Sequence, residues 1–185
     1  MSCLLFVFPG AFIFFSRNPD LFDENDFLKA LSNMVVISLA FWVTAFWLTS
    51  FLPFKLTQLY WGFNFIFALL FIFRLKQSGF PRIFFFNKEN GVLFILFSLV
   101  AATRLIPFFN RITGSVGDMT QHNAMTKIIL LSNGFTNSYE PVMPFNHFGE
   151  YPLGFHTLSA LISLTSSMPF YRATMLLSAI PHILL

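Results

Sequence analysis

The sequence predicts an all-α integral membrane protein. The expected architecture is a bundle of about five to six transmembrane helices, with an outer-surface loop that carries a short amphipathic helix. Three observations predict this. Of 185 residues, 56% are hydrophobic and only 10% are charged, against roughly 25% charged residues in an ordinary soluble domain. The mean hydropathy is +0.69, and 29 residues are Phe. The few charges fall between long uncharged runs instead of being spread along amphipathic helices. The net charge of +3 is small and dispersed, so there is no basic face of the kind that would bind nucleic acid. The single cysteine, Cys3, excludes an internal disulfide and a thiolate metal cluster.

The elements follow in order. Residues 1–16 are uncharged and contain "FPG", which predicts a short first helix. A cleavable signal peptide would need a basic start and a small-residue cleavage site, and neither is present. Residues 30–54 are uncharged, ample for the ~20 residues that a membrane helix needs. Residues 56–73, "LTQLYWGFNFIFALLFIF", give a second span, with Tyr60 and Trp61 placed as an interfacial aromatic belt places them. From Asn90 to Asn110 only Arg104 interrupts, near the span's end, where a long cation reaches the headgroups. Hydrophobicity returns at Leu153–Ser166 and again from Ala173, and the sequence stops inside the apolar "PHILL". That pattern is the one expected of an amino-terminal fragment of a longer polytopic protein.

Basic residues set the expected orientation. Arg74, Lys76, Arg82 and Lys88 make 74–90 the densest basic stretch, which the positive-inside rule assigns to the cytoplasm. Residues 111–152 then lie outside. The chain divides into N-terminal transmembrane helices (1–109), an extracytoplasmic loop with a motif (110–152) and further transmembrane helices (153–185). The expected location is the cytoplasmic (inner) membrane, multi-pass, with the motif loop extracytoplasmic.

The loop holds two polar clusters. In "GDMTQH", Asp118 opens a helical pattern that runs to "SNG". Asp118 and Gln121 fit a capping box, and Gly134 fits the C′ position. A helix over 119–132 covers roughly 21 Å, too short for the ~30 Å hydrocarbon core, so it is expected to lie along the membrane surface with Gln121, Asn123 and Lys127 on its polar face. Asp118 and His122 stand at i and i+4 and share one helix face. In "YPLGFH", Pro152 marks a helix start, and Tyr151 and His156 flank it. The plainer readings are a helix cap for Asp118, an exposed polar residue for His122, a belt anchor for Tyr151 and a first-turn interfacial residue for His156. Two such clusters on one side of the membrane, each at the edge of a span, point instead to a shared site.

The run "RLIP…GDMTQH…ILLSNGF…YPLGFHTLSAL" resembles the amino-terminal region of polytopic GT-C-type membrane glycosyltransferases. It is most similar to bacterial and archaeal members with a D-x3-H motif followed by YP-x-G-x-H. The layout is also similar to that of protein O-mannosyltransferases and lipid A aminoarabinose transferases. The resemblance covers residues 100–185, and three or four helices precede the motif loop here where one does in the better-studied members.

The resemblance implies a membrane glycosyltransferase with a catalytic cavity at the outer surface. The donor would be a polyprenyl-phosphate-linked sugar and the acceptor a lipid, glycan or protein. Asp118 would be the general base, or help hold a divalent metal ion. His122 would bind phosphate or orient Asp118, Tyr151 and His156 would line the cavity, and Arg104 would pair with a lipid phosphate.

These residue types suit that chemistry. Transfer from a lipid phosphate has a good leaving group, so the site needs a carboxylate to take the acceptor proton and donors to steady the phosphate. The competing readings are a polytopic transporter or channel subunit, in which Asp118 and His122 serve an ion path, and a non-catalytic degenerate relative. Transport sites lie near the bilayer midplane, whereas these residues are expected in a surface loop.

Overall fold

The computed structural model describes residues 7–17, 27–50, 52–78, 88–109, 117–134 and 153–184. Seven helices and no strands occur among them: α1 (Phe8–Arg17), α2 (Phe27–Thr49), α3 (Leu56–Ser78), α4 (Lys88–Phe109), α5 (Gly117–Ser132), α6 (Gly154–Ser166) and α7 (Phe170–Leu184). The all-α class expected from composition is the observed one.

Two of these helices are long and apolar enough to cross a membrane, Ala30–Thr49 within α2 and Leu56–Lys76 within α3. Among the described residues α4 contributes a shorter apolar stretch, Phe94–Ile106, which contains Arg104. α6, bounded by Leu153 and Ser167, is 13 residues long, shorter than the ~20 residues of a perpendicular span. Arg74 and Lys76, expected in a loop, belong to the last turns of α3, where cations complement the carbonyl end of the helix dipole.

α2 buries Ala30, Met34, Ser38, Trp42, Ala45 and Phe46, an i, i+4 stripe along one face. α3 does the same with Leu56, Tyr60, Asn64 and Phe67. The two meet chiefly through rings. Trp42 stacks on Phe46 at 5.3 Å and lies 5.2 Å from Tyr60, and Phe41 meets Phe67 edge-on at 4.9 Å. Tyr60 is therefore a core residue with no exposed surface, while its neighbour Trp61 is 52% exposed. Only Trp61 keeps the place expected of a belt residue. Along a helix, adjacent positions point about 100° apart, so one of the pair must face inward.

α1 crosses α2 at Gly10. Its N–H donates to Ser38 Oγ at 2.8 Å, and the Ser38 hydroxyl donates to the Val7 carbonyl at 2.8 Å. A Cβ at Gly10 would land on the Met34 carbonyl oxygen, so the crossing requires glycine. α6 is the central helix. It is buried from His156 to Ser163 and packs against α2, α3, α5 and α7. At its start Gly154 lets it approach α2, where a Cβ would come within 2.9 Å of Val43 Cγ1.

The end of α5 ties the motif helix to α3. Asn133 adopts a left-handed conformation (φ 48°). Its N–H donates to the Leu130 carbonyl and that of Gly134 to the Ile129 carbonyl, at 3.2 and 3.4 Å, which is the Schellman pattern. The left-handed C′ residue is thus Asn133, one residue earlier than the Gly134 that the sequence suggests. The reason is tertiary. The Asn133 carbonyl accepts the Leu56 N–H at 2.8 Å, its Oδ1 accepts the Thr57 N–H at 3.3 Å, and its Nδ2 donates to Thr57 Oγ1 at 3.0 Å. One residue closes α5 and fills two of the unsatisfied N–H groups at the start of α3, while Gln58 reaches back to the Lys55 N–H at 2.9 Å.

Candidate functional site

α5 presents one face to α6 and α7 and buries Asn123, Met125, Thr126 and Ile129 there. Thr120, Gln121, Lys127 and Leu131 are exposed on the other side. Gln121 and Lys127 thus face outward as their polarity suggests. Asn123 does not. It is a buried residue, which corrects its expected place on the polar face.

His122 sits at the edge of the buried face and is half-buried. Its Nδ1 lies 2.7 Å from Nε2 of His156, the third residue of α6 and fully buried. The rings are nearly parallel, 27° apart with centroids at 5.0 Å. Phe155 stands edge-on to both, at 5.5 Å from each. His156 is therefore not a residue of the water interface, because the packing of α5 over the start of α6 covers it completely.

An N···N hydrogen bond at this distance requires one N–H and one lone pair. The pair accordingly holds one proton between the rings, and two imidazolium ions facing each other would abolish the contact. What the pair can do chemically is pass or store a proton, or present a polarised N–H to an anion.

Asp118 lies in the first turn of α5, one turn before His122 and on the same helix face. A carboxylate there is favoured by the helix dipole. The helix begins at Gly117, one residue before the expected cap; the Asp118 side chain lies outside the described residues, and so do Tyr151 and Pro152. Arg104 is exposed on α4, a helix that packs mainly against α7. The structure brings His122 and His156 together, sets Asp118 one turn away, and keeps Arg104 on a separate element.

Several polar residues around the pair carry no motif and escape a reading of the sequence. Both side-chain polar atoms of Asn123 and the hydroxyl of Thr157 are buried with no hydrogen-bond partner among the described residues. Each is the immediate neighbour of one of the paired histidines. Thr126 and Thr174 place their hydroxyl oxygens 3.3 Å apart between α5 and α7. The sequence signal available for these is weak: polar residues at helical spacing from the histidines, inside otherwise apolar segments.

The Asp118 side chain, expected to help hold any metal ion, lies outside the described residues. No group of three or more His, Cys, Asp or Glu converges among the described residues, and the two imidazole nitrogens nearest each other are directed at one another. Compared with protein-family models, curated proteins and solved structures, the chain matches none.

Proposed function

We propose that the chain is a membrane glycosyltransferase of GT-C type that takes its sugar from a polyprenyl-phosphate-linked donor at the extracytoplasmic face of the cytoplasmic membrane. The observation that carries this reading is the 2.7 Å contact between His122 and His156. It joins the D-x3-H and YP-x-G-x-H segments, 34 residues apart, into one constellation beside Asp118.

Membrane placement is supported by two helices of sufficient length and apolarity and by which side chains are exposed. Trp47, Leu48, Phe65, Ile66, Leu69 and Phe73 face outward on α2 and α3 while Ser38 and Asn64 are buried. Exposed large apolar faces around buried polar groups are the informative deviation from a soluble protein.

In the reaction, the acceptor hydroxyl oxygen attacks the anomeric carbon as the bond from that carbon to the phosphate oxygen breaks. The electron pair leaves with the polyprenyl phosphate, and the acceptor proton passes to the Asp118 carboxylate. When His156 donates its Nε2–H to Nδ1 of His122, the His122 N–H sits on Nε2, where it can donate toward the departing phosphate.

The test is sugar transfer from a polyprenyl-phosphate donor in membranes expressing the complete gene product. Asp118→Asn conserves shape and removes the base, so it should leave expression intact and lower the rate by roughly 10²–10⁴-fold. Full activity in that variant would sink the mechanism and leave Asp118 as a residue of the helix start.

One observation favours a transporter or channel as the second reading, namely the buried polar side chains of Asn64, Asn123, Thr126 and Thr174 inside the bundle. That reading predicts no transfer activity at all, and an ion or proton flux in proteoliposomes that Asp118→Asn abolishes.

A further inference from the structure

Away from the histidine pair, the turn between α6 and α7, the start of α7 and the C-terminal half of α4 enclose a partly open cavity of about 360 Å³. Its apolar lining comes from Leu105 on α4, from Met168 and Pro169 in the turn, and from Met175 and Leu176 on α7. Two polar residues complete it, Ser166 and Arg172. The Ser166 hydroxyl already donates to the Ile162 carbonyl at 2.5 Å and accepts the Met168 N–H at 3.3 Å. Arg172 is exposed and makes no ion pair among the described residues.

Arg172 stands where a cation is least expected. It is in the first turn of α7, at the positive end of the helix dipole, which favours anions and disfavours a guanidinium. A second cation is close, since Lys127 of α5 lies over the ring of Phe170, the first residue of α7, at 5.8 Å. Positive charge thus gathers at one end of an apolar cavity. A ligand complementary to it carries an anion at one end and hydrocarbon at the other.

We propose that this cavity binds an anionic membrane lipid, its phosphate held by Arg172 and the start of α7, its chain laid against Leu105, Met168, Met175 and Leu176. The planar guanidinium fork matches phosphate oxygens bidentately. The volume is at the small end of ligand pockets, so it takes a headgroup and the first part of a chain, and the rest extends into the bilayer. This inference rests on the membrane placement argued above and is independent of sugar transfer.

The probe is the full chain purified in neutral detergent micelles, titrated with phosphatidylglycerol, phosphatidylcholine or inorganic phosphate, and read by thermal unfolding and native mass spectrometry. Phosphatidylglycerol should raise the melting temperature and be retained. Phosphatidylcholine, whose ammonium would face Arg172 and Lys127, and inorganic phosphate, which has no chain, should do neither. Arg172→Gln removes an exposed charge that packing does not need, and should weaken phosphatidylglycerol binding by roughly tenfold or more. Leu105→Trp fills the cavity with the charges intact and should weaken it as well. Stabilisation by phosphatidylglycerol that survives Arg172→Gln, or that phosphatidylcholine or inorganic phosphate reproduces, overturns the site while leaving the membrane reading in place. Recovery of the chain as a soluble monomer without detergent removes both.

Discussion

The histidine pair makes a quantitative demand on the bundle. His156 has no exposed surface, so when His122 is replaced by Leu, close to His in volume, the Nε2 atom of His156 loses its bond where water cannot substitute directly. A buried polar group left in that state costs about 1–3 kcal/mol. The opposite replacement, His156→Leu, leaves Nδ1 of the half-buried His122 within reach of water, and its cost is mainly altered packing against Phe155, about 1 kcal/mol. Removing both takes away the bond and the stranded group together. The double variant should therefore be more stable than the sum of the single changes predicts, with a coupling of about 1–2 kcal/mol, inside the range found for residues in direct contact. The assay is a double-mutant cycle of unfolding free energies in mixed micelles, accepted only where two probes give coincident transitions. Costs that add within about 0.5 kcal/mol would show that the rings do not share a proton, and would remove the basis for treating 117–134 and 153–166 as one site.

Two other positions give sharper contrasts. Asn133→Gly keeps the left-handed backbone but loses both side-chain bonds to Thr57, about 1–2 kcal/mol; Asn133→Ala should cost about 1–2 kcal/mol more, because alanine also pays for φ 48°. Equal losses in the two variants would mean that the side-chain bonds carry no stability of their own. Gly10→Ala drives a methyl group into the Met34 carbonyl and the Ser38 hydroxyl, which should cost about 1–3 kcal/mol and loosen α1. Gly62→Ala meets nothing within 4 Å and should be neutral or stabilising by up to about 1 kcal/mol. Thermal unfolding of the pair decides whether the α1–α2 crossing is as close as described.

Much of the fold is legible in the sequence because its signals are local. The uncharged runs become α2 and α3, the stretch after Asp118 becomes α5, and apolar residues mark α6 and α7. What escapes is set by contacts between distant residues. Asn133 rather than Gly134 takes the left-handed position because its amide meets Thr57, 76 positions away. Tyr60 turns inward because Trp42 offers a ring to pack on. His156 reads as interfacial from its place at a helix start, yet α5 folds over it. The same limit applies to cations. Arg104 is conspicuous because it interrupts an apolar run, whereas Arg172, which interrupts no long apolar run, is the one that lines a cavity.

The position of Asp118 follows from how α5 is fastened. Three polar ties hold that helix along its length: Asn133 to Thr57 of α3, Thr126 to Thr174 of α7, and His122 to His156 of α6. The first and last are eleven residues apart by number, about 16 Å along the axis, and each engages a different neighbour. In an apolar interior such bonds are stronger than in water, and three of them fix rotation as well as height. A loop residue after a Gly- and Ser-rich approach would have no such constraint. Asp118 instead continues the tied helix by one turn, so its backbone is held by the bundle before any substrate arrives. The role proposed above for Asp118, that of general base, would need such placement, since a misplacement of about 1 Å can cost 10²-fold in rate. The ties also make a distinction possible. Thr126→Val removes a tie without touching Asp118 or either histidine, so loss of transfer at unchanged expression would place the function of these buried polar groups in holding α5, and unimpaired transfer would mean that the remaining two ties suffice.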